Sequence, residues 1–113
     1  MIEIMKAGYK VKPPIIYIGR PSPYGNPYPI VASKYSDKIY TLEKSLELYE
    51  LDIRSGKINI QDLYEQYKAK GYLKLSCFCT NKKLHNWQQA IDKPVCHGEI
   101  IAYWIFKMEE RDR

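Results

Sequence analysis

IIYIGRPSPYGNPYP, residues 15–29, is the stretch on which the fold turns. Ile15-Ile16-Tyr17-Ile18 is a β-branched and aromatic run of the kind that forms a buried strand. Gly19 stops it. The next eleven residues, Gly19–Pro29, hold four prolines and two glycines. Proline fixes φ and glycine permits φ > 0, so the segment reads as a stiff loop. A rigid loop directly after a buried strand stands outside the strand's carboxyl end, where open α/β sheets bind ligands.

Downstream, Thr41 caps a helix running to about Ser55. Leu42, Leu46, Tyr49 and Ile53 form its apolar stripe at helical spacing, and Gly56 ends it. Asn59 offers a second N-cap, Leu63, Tyr64 and Tyr67 line one face, and Gly71 closes that helix. Tyr72–Cys79 then alternates, with Leu73, Leu75, Cys77 and Cys79 on one face of a strand. Thr80–Val95 is polar and irregular, with a helical turn at Trp87–Ile91. Cys96-His97-Gly98-Glu99 opens a last helix to about Glu110, whose Ile101, Trp104, Ile105 and Met108 repeat at helical spacing. Two strands separated by helices favour a parallel pair with a crossover.

The fold predicted is α/β: a single compact domain spanning residues 1–113, with a small, mainly parallel sheet flanked by about three helices. A two-strand sheet is thin. Met1–Lys12, Tyr28–Ala32 or the second subunit of a homodimer could thicken it. The 113 residues suffice for one core. Eleven tyrosines suit core edges, where a large ring is buried and its polar tip is kept satisfied.

The net charge of +5 admits anionic partners. The lysines are dispersed, however, and only Lys82 and Lys83 adjoin, so nucleic acid is admitted but not favoured. No run reaches the ~18 apolar residues of a membrane span, and Met1–Lys12 lacks the apolar region of a signal peptide. The chain is therefore expected to be cytoplasmic, with no membrane partner. Three cysteines cannot all pair within one monomer. In a reducing compartment they read as free thiols, metal ligands or catalytic groups.

Two places carry candidate chemistry. In the loop, Arg20 could grip a phosphate or carboxylate through two parallel hydrogen bonds. Gly19 and Gly25 allow close backbone approach, and Ser22 and Asn26 could position a hydroxyl or base edge. The amides of Arg20, Ser22, Tyr24, Gly25 and Asn26 are the donors available for an anion nest. The plainer alternative is a tight turn held by Asn26, with Arg20 solvated. The loop matches neither the P-loop nor the dinucleotide fingerprint.

The second place is Cys77, Cys79, Cys96 and His97. Three thiolates and an imidazole suit tetrahedral zinc, although the spacing departs from the common C-x₂₋₄-C pairs. Alternatively, Cys96 at a helix N-terminus could be an activated nucleophile, with His97 and Glu99 in acid–base roles. The third reading is packing, since a free cysteine behaves as a small buried hydrophobe. Trp104 reads as core. Trp87, in a polar loop, reads as freer to stack on a ligand, and His85 reads as solvated.

Together, Tyr17–Tyr28, Cys77-Phe78-Cys79 and Cys96-His97-Gly98-Glu99 resemble the uncharacterised family known as domain of unknown function 4326. Its pattern is an IGR…GNPF loop, a helical middle and a C-x-C…CHGD segment. The resemblance spans about Ile15 to Ala102. Thr80–Val95 looks like an insertion against the family pattern, and Glu99 stands where aspartate is usual. The resemblance implies no established reaction. It implies that Gly19, Arg20, Gly25, Asn26, Cys77, Cys79, Cys96, His97 and Glu99 belong to one site.

The functional expectation is a site for a nucleotide-like or other phosphorylated small molecule. Arg20 and the loop amides would hold the anion, and Asn26 would orient the ligand. Cys96, His97 and Glu99 would supply any chemistry. The alternative is a zinc-stabilised module that binds nucleic acid or protein without catalysis.

Overall fold

A computed structural model describes residues 1–31 and 38–112. Among these residues four strands form one sheet: β1 (Ile2–Met5), β2 (Ile15–Tyr17), β3 (Leu73–Ser76) and β4 (Lys82–Leu84), in the order β2-β3-β1-β4. The two strands read from sequence, β2 and β3, are parallel neighbours, with Ile16 opposite Leu75. β1 also runs parallel to β3, with Ile2 opposite Leu73, and β4 closes the other edge antiparallel to β1. The sheet is therefore mixed but mostly parallel. The amino-terminal segment supplies an interior strand from within the same chain, which removes the reason for expecting a second subunit to thicken the sheet. Ile30 and Val31 form no strand, and Ala32 lies outside the described residues.

Among the described residues four helices accompany the sheet: α1 (Leu42–Arg54), α2 (Gln61–Lys70), α3 (Trp87–Ile91) and α4 (His97–Arg111). The Thr41 side chain accepts from the amide of Lys44 and caps α1. Asn59 lies one residue outside the expected position. The cap of α2 is Ile60, while the Asn59 side chain accepts from the Gln61 amide. The first three helices all contact α4, and α4 packs on β1. Ile2, Ile4, Leu73, Leu75 and Leu84 are buried on the sheet face that the helices cover, and they join Leu63, Ile101 and Ile105 in the core. The alternate strand residues Glu3, Met5 and Lys74 are only half-buried.

Gly98 sets how closely α4 approaches. A Cβ there would lie 3.0 Å from Ile18 Cδ1 and 3.2 Å from Ile4 Cδ1. The missing side chain lets the first turn of α4 settle onto the sheet and brings Cys96 and His97 to its edge.

The tyrosines follow the expected logic. Tyr49 is fully buried and donates to the Tyr24 carbonyl at 2.6 Å. Tyr64 donates to Asp112 at 2.7 Å, and Tyr28 donates to Asp52 at 2.6 Å. Trp104 is partly buried against the core. Trp87 is not the free stacking residue expected. It opens α3, packs edge-on to Tyr103 and lies under the Lys107 ammonium, because its loop folds back onto α4. His85 is exposed. No helix among the described residues is long and apolar enough to cross a membrane.

Candidate functional site

The chain leaves β2 at Tyr17 and enters the Gly/Pro loop. The loop folds through its own backbone: the Ser22 amide donates to the Gly19 carbonyl at 2.8 Å, and the Gly25 amide to the Ser22 carbonyl at 3.0 Å. The Tyr24 amide donates to Ser22 Oγ at 3.3 Å. Three of the five amides expected to form an anion nest are thus consumed inside the turn. The glycines serve internal approach as well. A Cβ on Gly19 would collide with the Tyr17 ring, and one on Gly25 would press on Arg20. Tyr17 closes this corner by donating its hydroxyl to the Arg20 carbonyl at 2.8 Å.

Asn26 ties the loop to α1. Its Nδ2 donates to Ser45 Oγ at 2.8 Å, and its Oδ1 accepts from the Tyr28 amide at 2.9 Å. Ser45 donates in turn to the Tyr28 carbonyl. An amide side chain can make more bonds than these two, so Asn26 keeps one N–H and one lone pair for other use.

The cysteines meet at the opposite wall. The strand alternation ends at Ser76, and Cys77–Cys79 lie in the bend that follows β3. Cys77 is buried whereas Cys79 is exposed, so the two do not share a strand face as expected. The bend turns Cys79 back instead, and its amide donates to Cys77 Sγ at 3.4 Å. Cys96 is the N-cap of α4, and its sulfur accepts from the Gly98 amide at 3.4 Å. Cys96 Sγ donates to Cys77 Sγ at 3.5 Å, and the two form no disulfide. All three sulfurs lie within 4.8 Å of one another, while His97 is not part of that set.

His97 is buried and connects the two walls. Its Nε2 lies 2.7 Å from the Ile18 carbonyl oxygen. A carbonyl can only accept, so Nε2 carries the hydrogen and Nδ1 is left with its lone pair. That Nδ1 lies 3.8 Å from Cys96 Sγ. Burial lowers the His97 pKa, outweighing the Ile18 bond and the Cys77 sulfur, which raise it, and the nearby Arg20 charge lowers it further. Burial thus favours the neutral imidazole. Among the thiols, Cys77 is pulled below the usual range by hydrogen bonds from Cys79 and Cys96. Both of those partners are pushed up, chiefly by their bonds with Cys77.

Glu99 stands apart. Its Oε1 accepts from the amides of Val95 and Cys96, completing a capping box, and its Oε2 takes an ion pair with Lys82 at 2.7 Å. This is the work of a helix-capping carboxylate.

These walls enclose a cleft of about 260 Å³. Gly19, Arg20, Asn26, Cys77, Cys79, Cys96 and His97 line it, whereas Ser22, Gly25 and Glu99 do not. Sequence reasoning missed the contributions of Tyr28, Ser45, Leu46 and the exposed Phe78. Tyr28 stood inside the GNPY stretch. Ser45 lies three residues after Leu42 on the inner face of α1, but nothing in the sequence marks it as more than a helix residue.

Fold and site define a small α/β domain with a cleft walled by a Gly/Pro loop and floored by a cysteine–histidine cluster. The chain belongs to the family described as a domain of unknown function, DUF4326, whose model matches residues 3–107. No curated protein and no solved structure matches it.

Proposed function

We propose that the domain binds a phosphorylated or nucleotide-like small molecule in this cleft. The carrying observation is convergence: Arg20, the neutral His97 and the three cysteines line one opening of about 260 Å³. Arg20 supplies the cation and a planar fork for phosphate oxygens. Ile30, Phe78 and Val95 add exposed apolar surface to the same cleft, suited to a sugar or base face. The volume lies just below the usual range of about 300–1,000 Å³ for small-molecule sites, which suits a sugar phosphate or mononucleotide better than a dinucleotide.

Binding without turnover is the favoured form. Cys96 is 1% exposed and its thiol is pushed up, so it is poorly placed to attack. Glu99 is already engaged by two amides and Lys82.

Calorimetry with nucleoside monophosphates, sugar phosphates and unphosphorylated nucleosides tests the proposal. Binding should require the phosphate. Arg20→Ala should weaken it roughly 10–100-fold, the value of about 1.5–3 kcal/mol for a charge-assisted hydrogen bond. In the metal-free protein Cys96→Ser should keep most of the affinity, because serine also caps a helix. If nothing in the panel binds, or Arg20→Ala binds equally well, the proposal is wrong.

The cysteine trio favours one second reading, a zinc-stabilised module that binds nucleic acid or protein. A steep salt dependence of RNA or DNA binding would mark it.

A further inference from the structure

We propose that Cys77, Cys79 and Cys96 bind one divalent ion of the zinc type, with the fourth coordination position facing the cleft. The three sulfurs lie within 4.8 Å of one another. Zinc–sulfur bonds of about 2.3 Å in a tetrahedron place the sulfurs about 3.8 Å apart. One pair, Cys77 and Cys96, is already at 3.5 Å. Loading the site therefore asks for shifts of about 1 Å or less, not a refolding of the bend.

The surroundings suit thiolates. Backbone amides of Cys79 and Gly98 donate to the sulfurs of Cys77 and Cys96, and the N-terminus of α4 directs its dipole at Cys96. Such supporting contacts orient ligands and stabilise their charge. The donors come from two separate places, the bend after β3 and the start of α4, so metal would clamp the carboxyl end of β3 to the helix. Three soft donors select zinc-like ions over magnesium or calcium.

His97 is the neighbour of this site. Its unprotonated Nδ1 lies 3.8 Å from Cys96 Sγ, but it falls outside the mutually close set. Three protein ligands leave a fourth position, and the same cleft holds Arg20. Three thiolates and a dication leave one negative charge, which the guanidinium offsets. A bound phosphate could then span Arg20 and the metal. That last use rests on the ligand reading above, whereas the metal site does not.

The test is a cobalt(II) titration of the reduced, metal-free protein, with cobalt alone as the probe. One cobalt should bind per chain, with tetrahedral ligand-field bands and thiolate-to-metal charge transfer that zinc abolishes. Cys79 is exposed, so Cys79→Ser should fold, as circular dichroism will check. It should lose about a third of the charge-transfer intensity and more affinity than the roughly 10–100-fold that loss of a supporting contact costs. An octahedral spectrum, no binding, or binding unchanged in Cys79→Ser overturns the site. Inorganic phosphate should then perturb the cobalt bands. If it leaves them unchanged while binding the protein, the anchoring role alone fails and the cleft reading survives.

Discussion

His97 reaches across 79 positions of chain to Ile18, its Nε2 lying 2.7 Å from the Ile18 carbonyl oxygen. This bond fastens the end of the β2 segment to the first turn of α4. It also fixes which imidazole nitrogen carries hydrogen. The Gly/Pro loop begins one residue after Ile18, and Cys96 precedes His97. One hydrogen bond thus holds the two motifs of the chain in register.

Removing that bond should be costly. His97→Ala leaves a buried carbonyl unpaired, worth about 1–3 kcal/mol, and opens space beside the ring of Tyr49, 5.2 Å away by centroids. A loss of about 2–4 kcal/mol is expected in urea unfolding, with the denaturant slope unchanged. A loss below about 0.5 kcal/mol would show that the tie is not structural.

Gly98→Ala sets two effects against each other. Alanine improves helix propensity by up to about 1 kcal/mol, and by less in the first turn. Its Cβ, however, meets Ile18 at 3.0 Å and Ile4 at 3.2 Å, and overpacking a core costs about 1–3 kcal/mol. Net destabilisation of about 1 kcal/mol is expected from thermal and chemical unfolding. A stabilised variant would mean that both isoleucines swing aside freely.

Glu99 separates capping from chemistry. Glu99→Ala strips acceptors from two amides and leaves Lys82, about a third exposed, without its carboxylate. Stability should fall by about 2–4 kcal/mol. Glu99→Gln keeps the oxygen for the amides and should lose only about 1 kcal/mol. Ligand affinity in Glu99→Gln should match wild type, since this carboxylate does not line the cleft. A strong loss of binding at preserved stability would return Glu99 to the site.

The wall opposite the cysteines has an alkaline limit. Burial and the Asp52 carboxylate raise the Tyr28 phenol from 10.0 to about 12. A folded pKa above the unfolded one stabilises the fold fully below pH 10 and loses that contribution as pH rises towards 12. Asp52→Asn removes the charged acceptor. Ultraviolet difference titration should then show one tyrosine ionising earlier than in wild type. Superimposable curves would contradict the Tyr28–Asp52 bond.

Much of this architecture was legible where periodicity ran long enough. The stripe Leu42, Leu46, Tyr49, Ile53 spans three turns, and the structure returns α1 with the Thr41 cap. The short strands were harder. β1 alternates Ile2 and Ile4 with Glu3 and Met5 for only four residues, too few to stand out among basic neighbours. β4 reads Lys82-Lys83-Leu84, an edge strand whose lysines discourage further pairing and whose composition hides it as a loop. The meeting of Cys77, Cys79, Cys96 and His97 near Arg20 could be anticipated from their order on the chain. The detachment of Glu99, Ser22 and Gly25 from the cleft could not, because hydrogen bonds settle it and spacing does not. A C-x-C pair on an ideal strand shares a face; here the bend after Ser76 breaks that rule and exposes Cys79.

The most direct test of the cleft is chemical-shift mapping of the ¹⁵N-labelled protein with nucleoside monophosphates, alongside matched nucleosides. The account predicts saturable shifts confined to Gly19, Arg20, Asn26, Cys79, Cys96 and His97, present with the phosphorylated ligand and lost in Arg20→Ala. Shifts scattered over the surface lysines, or equal shifts with the unphosphorylated nucleoside, would contradict it.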